Sequence, residues 1–240
     1  MDSMYDPEAW ASTSTKSFAK SVNRIYNFTY GWMAFGLILS GLVAWILGQH
    51  LQAGSIQFSK PLFYGCAITE LILVITLSAA IFKLRTFVAG LLFILYALLN
   101  GATMSLIFLC YNLGTIQSVF FITAGSFAAL SLFGTLTSIN LNTIGRIAIM
   151  GLLGIIIASI VNFFMASSGL NSILTYAGVI VFTALTAYDA QKVRILAEQQ
   201  AAMDNGTIQR LGLLCALELY LDFINLFLYL LRIFGGKGRD

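Results

Sequence analysis

The stretch ALELYLDFINLFLYLLRIFGG, residues 216–236, is apolar enough to cross a membrane, yet it holds Glu218 and Asp222 one helical turn apart. At about 100° per residue, Glu218, Asp222, Asn225 and Tyr229 follow i, i+4, i+7 and i+11, a polar stripe roughly 60° wide on one face of a helix. An ionisable group at bilayer depth costs at least about 2.5–3.5 kcal/mol on insertion scales, so this stripe must face protein or water rather than lipid. Leu219, Phe223, Leu226 and Leu230 flank it, as in a helix enclosed by others. The segment predicts a bundle of membrane helices with itself at the centre.

The rest of the chain agrees with a membrane solvent. Of 240 residues, 59% are hydrophobic and 10% charged, against roughly 45–50% and 25% in ordinary soluble domains. Apolar runs near 28–48, 61–82, 87–110, 116–137, 145–166, 173–195 and 211–234 are each long enough for a spanning helix, and their continuity argues against alternating barrel strands. The expected fold is all-α: a seven-transmembrane-helix bundle, residues 25–240, preceded by a polar segment, residues 1–24. Within that segment Phe18, Val22 and Ile25 share one face and Lys16, Lys20 and Arg24 another, which suits a helix lying on the cytoplasmic leaflet or a flexible basic lead-in. Residues 1–15 are polar and acidic-leaning with no basic n-region, so no cleaved signal is expected.

With the N-terminus inside, nine of the thirteen Lys and Arg fall on the inner side, which favours a cytoplasmic N-terminus. The basic tail, with Arg232, Lys237 and Arg239, dissents and leaves the side of the C-terminus open. No basic block with interleaved aromatics exists to hold a phosphate backbone, so nucleic acid is not an expected partner. Cys66, Cys110 and Cys215 lack metal or disulfide spacing and read as buried small hydrophobes. Gly31, Gly36, Ser40 and Gly41 in the first span, with Gly151 and Gly154 in the fifth, offer surfaces for close helix contact.

Four acids fall inside the spans: Glu70, Asp189, Glu218 and Asp222. Counting about 1.5 Å per residue from boundaries at 195 and 211 places Asp189 about 9 Å deep, Glu218 about 10 Å and Asp222 about 16 Å. Depth alone pairs Asp189 with Glu218 at least as readily as with Asp222. Asp189 also reads as a helix-end acid paired with a neighbouring base. Two carboxylates in a low-dielectric site cannot both ionise cheaply, so a pair shares one proton and becomes a pH sensor. When the proton leaves, the doubled charge repels the helices or attracts a cation, and oxygen ligands suit a hard ion such as Ca²⁺. Glu218 and Glu70 are candidates for an additional proton or cation site, although Glu70 serves equally well in a structural hydrogen bond. Lys83 and Arg85, at the inner end of the second span, are candidate countercharges for the acids.

The segments ALELYLDFINLFLYLLR (216–232), FTALTAYDAQKV (182–193) and YALLNGATMSLIF (96–108) resemble the Bax inhibitor-1 family of seven-helix membrane proteins, bacterial members included. The resemblance implies a pH-sensitive calcium leak governed by Asp189 and Asp222, with Ca²⁺ passing as the permeant ion and no bound cofactor. It implies an additional acid at Glu70 and, for a bacterial member, residence in the inner (plasma) membrane. Glu218 departs from the family pattern and puts the choice of proton-sharing partner in question. The alternative is a membrane regulator that modulates a membrane protease such as FtsH, or suppresses cell death, without transporting ions.

An enzyme is not expected. An intramembrane aspartyl protease would place its acids on consecutive helices, as Asp189 and Asp222 are placed. Leu219-Tyr220-Leu221 stands where such enzymes have Gly-x-Gly, and both prolines, Pro7 and Pro61, lie too early for their later motif. The sole histidine, His50, lies in a predicted outer loop, away from any buried serine.

Overall fold

The structure, a computed structural model, describes the backbone of residues 7–200 and 205–235 and the side chains of residues 22–199 and 206–235. Among the described residues the regular elements are helices: α1 (Pro7–Gln52), α2 (Lys60–Ala80), α3 (Thr86–Met104), α4 (Ile107–Cys110), α5 (Leu113–Leu136), α6 (Asn142–Met165), α7 (Ser168–Gln200) and α8 (Asn205–Gly235). Seven segments are long and apolar enough to span a membrane, α3 and α4 together forming the third. The protein is an integral membrane protein built as a seven-span helical bundle, as the sequence predicts.

Local chemistry sets several helix ends. Ser59 caps α2 by accepting from Leu62 N at 3.4 Å, with Pro61 in the first turn. Asn112 caps α5 by accepting from Thr115 N at 2.8 Å. Both satisfy amides that the first helical turn leaves without partners. The third span is not one helix. Around Ser105 the bonds tighten to an i→i+3 pattern, and Ser105 Oγ donates to Ala102 O at 2.6 Å, a local competitor for the backbone ladder. Residues 7–24, expected as a separate interfacial or flexible segment, form one helix continuous with the first span. The side chains of Lys16, Phe18 and Lys20 lie outside the described residues.

The last span is the hub. Within its apolar window 72% of α8 is buried, against 11% for α2 and for α6, and α8 packs on α1, α3, α5 and α7. Its Leu217, Leu219, Tyr220 and Phe223 meet Met33 of α1, Phe93 and Tyr96 of α3, and Val119 and Phe127 of α5 in the main core. The peripheral α2 and α6 turn Ile68, Leu71, Ile72 and Ile75, and Ile147, Met150, Leu153 and Ile157, outward. Such continuous apolar surface belongs against lipid.

Close helix approach falls at some of the glycines the sequence suggested and at others it did not: an added Cβ at Gly36 would stand 2.8 Å from Phe93, and one at Gly151 would stand 3.0 Å from Val181. Gly31, Gly41 and Gly154 face open space, whereas Gly101 packs so tightly on α1 that a Cβ there would stand 2.6 Å from Ser40 O. At Gly134 of α5 an added Cβ would collide with the carbonyl of Ala187, which fixes α5 against α7 two residues before Asp189.

Candidate carboxyl site between the last two helices

The helices α7 and α8 run antiparallel, joined through residues 201–204, with Phe182 stacked on Tyr229 towards the other end. In each helix the Cα–Cβ bonds tilt towards that helix's own N-terminus. In an antiparallel pair the tilts oppose, so Asp189 leans away from the α7–α8 loop while Asp222 leans back towards it. The register of the two helices, marked by the Phe182–Tyr229 stack and the Lys192–Glu218 contact, sets Asp189 opposite the acid one turn farther along α8. The Asp189 and Asp222 carboxyl groups lie within hydrogen-bonding reach of each other, and both are buried, at 9% and 4% exposure. Among the described residues no N–H or O–H donates to Asp222 Oδ2. A proton held between the two acids would turn this repulsive contact into an O–H···O bond.

Glu218 goes elsewhere. Lys192 Nζ donates to both of its oxygens, at 2.6 and 2.8 Å. The α7–α8 seam thus carries two rungs one turn apart, a carboxyl–carboxyl rung and an ion-pair rung nearer the loop. Lys192 is the cation of this site, and the expectation for Lys83 and Arg85 is corrected. Both are exposed at the α2–α3 turn, where Arg85 occupies the N-cap position of α3, and neither forms an ion pair among the described residues.

The two rungs border a cavity of about 710 Å³ that also reaches Glu70, Tyr96, Asn225 and Tyr229, with apolar walls from α2, α6 and α7. Asn225 and Tyr229 extend the stripe along α8: Asn225 Nδ2 donates to Leu221 O at 2.8 Å, and the Arg232 guanidinium sits 5.4 Å from the centre of the Tyr229 ring. Glu70 accepts from Asn100 Nδ2 at 3.3 Å and from Thr103 Oγ1 at 3.0 Å. Tyr220 Oη donates to Asn100 Oδ1 at 2.9 Å and lies 2.5 Å from Ser40 Oγ. A polar string therefore crosses the bundle core from α2 through α3 and α8 to α1. Among the described residues no three His, Cys, Asp or Glu side chains converge as a metal site.

The α7 face behind the acids is anchored. Gln191 accepts from Leu141 N at 2.8 Å and donates to Ile139 O at 2.7 Å, and Arg194 donates to Thr135 O and Thr137 O at 2.7 and 3.0 Å. The sequence reading offered a neighbouring base such as Lys192 or Arg194 as a partner for Asp189, whereas Lys192 pairs with Glu218, and it passed over Gln191. The i, i+3 spacing of Asp189 and Lys192 was the available signal for Lys192; nothing local marks Gln191, whose partners lie fifty residues away.

The bundle and its seam of buried carboxyls define a polytopic helical membrane protein with an ionisable site inside its membrane span. The chain belongs to the family described as inhibitor of apoptosis-promoting Bax1, whose pattern matches residues 22–239, in agreement with the resemblance carried by the last two spans. It is similar to the inner membrane protein YbhL of Escherichia coli K12, 46% identical over 209 residues, 87% of this chain and 89% of that protein. It is also similar to an uncharacterized protein of Borreliella burgdorferi, 40% identical over 219 residues, with 91% and 94% of the two chains covered. The uncharacterized protein YrjE of Lactococcus lactis is 35% identical over 225 residues, again with 91% and 94% covered.

Proposed function

We propose that this protein is a pH-sensitive cation leak of a bacterial inner membrane, with its N-terminus cytoplasmic, in which Asp189 and Asp222 share one proton and Ca²⁺ is the permeant ion. The observation that carries the reading is the buried carboxyl–carboxyl contact beside a large cavity, with Asp222 Oδ2 lacking any other donor. With one proton in the contact, an O–H···O bond holds α7 to α8. Without it, two negative charges stand together in a poorly screened site and either part the helices or draw in a cation. The polar groups among the otherwise apolar lining are mainly oxygen donors, with Glu70 farther along the cavity, and suit a hard ion in transit better than a resident soft metal. The protein is read as a non-enzyme without a bound cofactor, because Leu219-Tyr220-Leu221 stands before Asp222 where an aspartyl protease would have Gly-x-Gly.

Purified protein in liposomes tests this directly. Ca²⁺ flux is expected to change between about pH 6 and 8, the range in which a shared proton in such a pair is exchanged. Asp189→Asn or Asp222→Asn leaves one carboxylate beside a neutral amide, the charge state of the proton-sharing pair. Flux through either variant is therefore expected to stay at its acid-side level across the range. A flux that is flat in the wild type, or that keeps its pH response in both variants, refutes the proposal.

A further inference from the structure

We propose that the Lys192–Glu218 ion pair sets the pH at which the Asp189–Asp222 pair exchanges its proton, acting as a positioning bridge one helical turn away on both helices. This rests on reading the two aspartates as a proton-sharing pair. Lys192 lies three residues beyond Asp189 on α7, and Glu218 lies four residues before Asp222 on α8. Each pole of the bridge is therefore a same-face neighbour of one aspartate, at about 5–6 Å between Cβ atoms. The contact is closed on both carboxylate oxygens, at 2.6 and 2.8 Å.

The charge inventory around the aspartates is short. From α7 come Lys192 and Tyr188, from α8 Cys215, Glu218 and Tyr229, from α2 Glu70 and from α3 Tyr96. The cavity lining from α6 is Ser159 and aliphatic side chains, and α1 and α5 contribute none of the lining. Lys192 is the one cation in that set, and Glu70 is already held by Asn100 and Thr103. While the bridge is closed its two charges nearly cancel at the aspartates; opening either end leaves an uncompensated charge beside them.

The signs follow from Coulomb's law. In Lys192→Gln the cation is gone and Glu218 stays negative, so a second negative charge on the aspartates costs more and the midpoint of the pH response moves to higher pH. In Glu218→Gln the lone Lys192 favours that second charge, and the midpoint moves to lower pH. The double variant removes both charges and returns close to the wild type, and Lys192→Arg retains the wild-type midpoint. The bridge side chains are 32% and 26% exposed and line the cavity, so they are only partly desolvated and each single shift is about one pH unit rather than the several expected of a dry site. Because protein seals neither end, the amide replacements leave no fully enclosed unpaired charge, and Lys192→Met and Glu218→Ala serve as second variants with the same signs.

Two readouts separate this inference from the transport reading. One is Ca²⁺ flux in liposomes as a function of pH. The other is infrared titration of the protonated carboxyl band in the purified full chain, assigned by its loss in Asp222→Asn. Midpoints that move in opposite directions in the two single variants, and cancel in the double, establish the bridge. Midpoints that stay put, or move the same way, overturn it. If wild-type flux is flat while the infrared midpoints diverge, the bridge stands and the leak falls; if no carboxyl band titrates in the wild type, both fall.

Discussion

At the scale of single residues, the sequence shows which groups matter and leaves open which touch. Glu218, Asp222, Asn225 and Tyr229 read as one stripe because helical spacing fixes their face. Their partners depend on a second helix, and a rise of about 1.5 Å per residue from uncertain ends could not separate Asp222 from Glu218. The register between the helices decides it: Lys192 meets Glu218 and Phe182 stacks on Tyr229, which sets Asp222 opposite Asp189, a relation that depth counted from each helix end omits. Tyr220 was invisible in the sequence for a related reason: it sits two residues before Asp222, off the stripe, and its partners Ser40 and Asn100 come from other spans. Tyr220→Phe removes the hydroxyl that joins them and leaves Asn100 Oδ1 without that donor, while Ser40 Oγ keeps its bond to Gly36 O. The expected cost is about 1–2 kcal/mol, seen as a lower thermal unfolding midpoint in detergent. A variant that melts with the wild type would show that the string does not fasten α8.

At the scale of elements, all seven spans were legible, while their ends were not. The sixth apolar run was expected to close near 195, yet α7 continues to Gln200. Its last residues, LAEQQ, are polar enough to leave the membrane and still good helix formers, so hydropathy stops before the helix does. The α3–α4 break escaped notice because Ser105 lies in an unbroken apolar run and acts through its hydroxyl rather than its polarity. Gln191 and Arg194, inside the run as expected, grip the α5–α6 turn from the last turn before 195. Gln191→Ala is expected to free Leu141 N–H and Ile139 C=O, raising amide hydrogen exchange at residues 139–142 severalfold while leaving the core of α8 protected. Unchanged exchange at Leu141 would mean that the turn holds its shape without α7.

At the scale of the whole molecule, the division of labour bears on the choice between a leak and a regulator. The cavity and both rungs of the α7–α8 seam lie within the seven spans, and the family match itself covers residues 22–239. The segment before Val22 has its side chains outside the described residues. It is also where a regulator acting on a membrane protease would present its handle. A chain beginning at Val22 retains the whole first span, Val22–Gln52, and so should insert and pack as the full chain does. Its Ca²⁺ flux in liposomes, per molecule incorporated, is expected to match the full chain within about twofold, with the same midpoint, because the aspartates and the Lys192–Glu218 bridge all lie on the last two spans and are retained. Loss of the pH response in a truncated chain with an unchanged unfolding midpoint would place the working part in the N-terminal segment and favour the regulator.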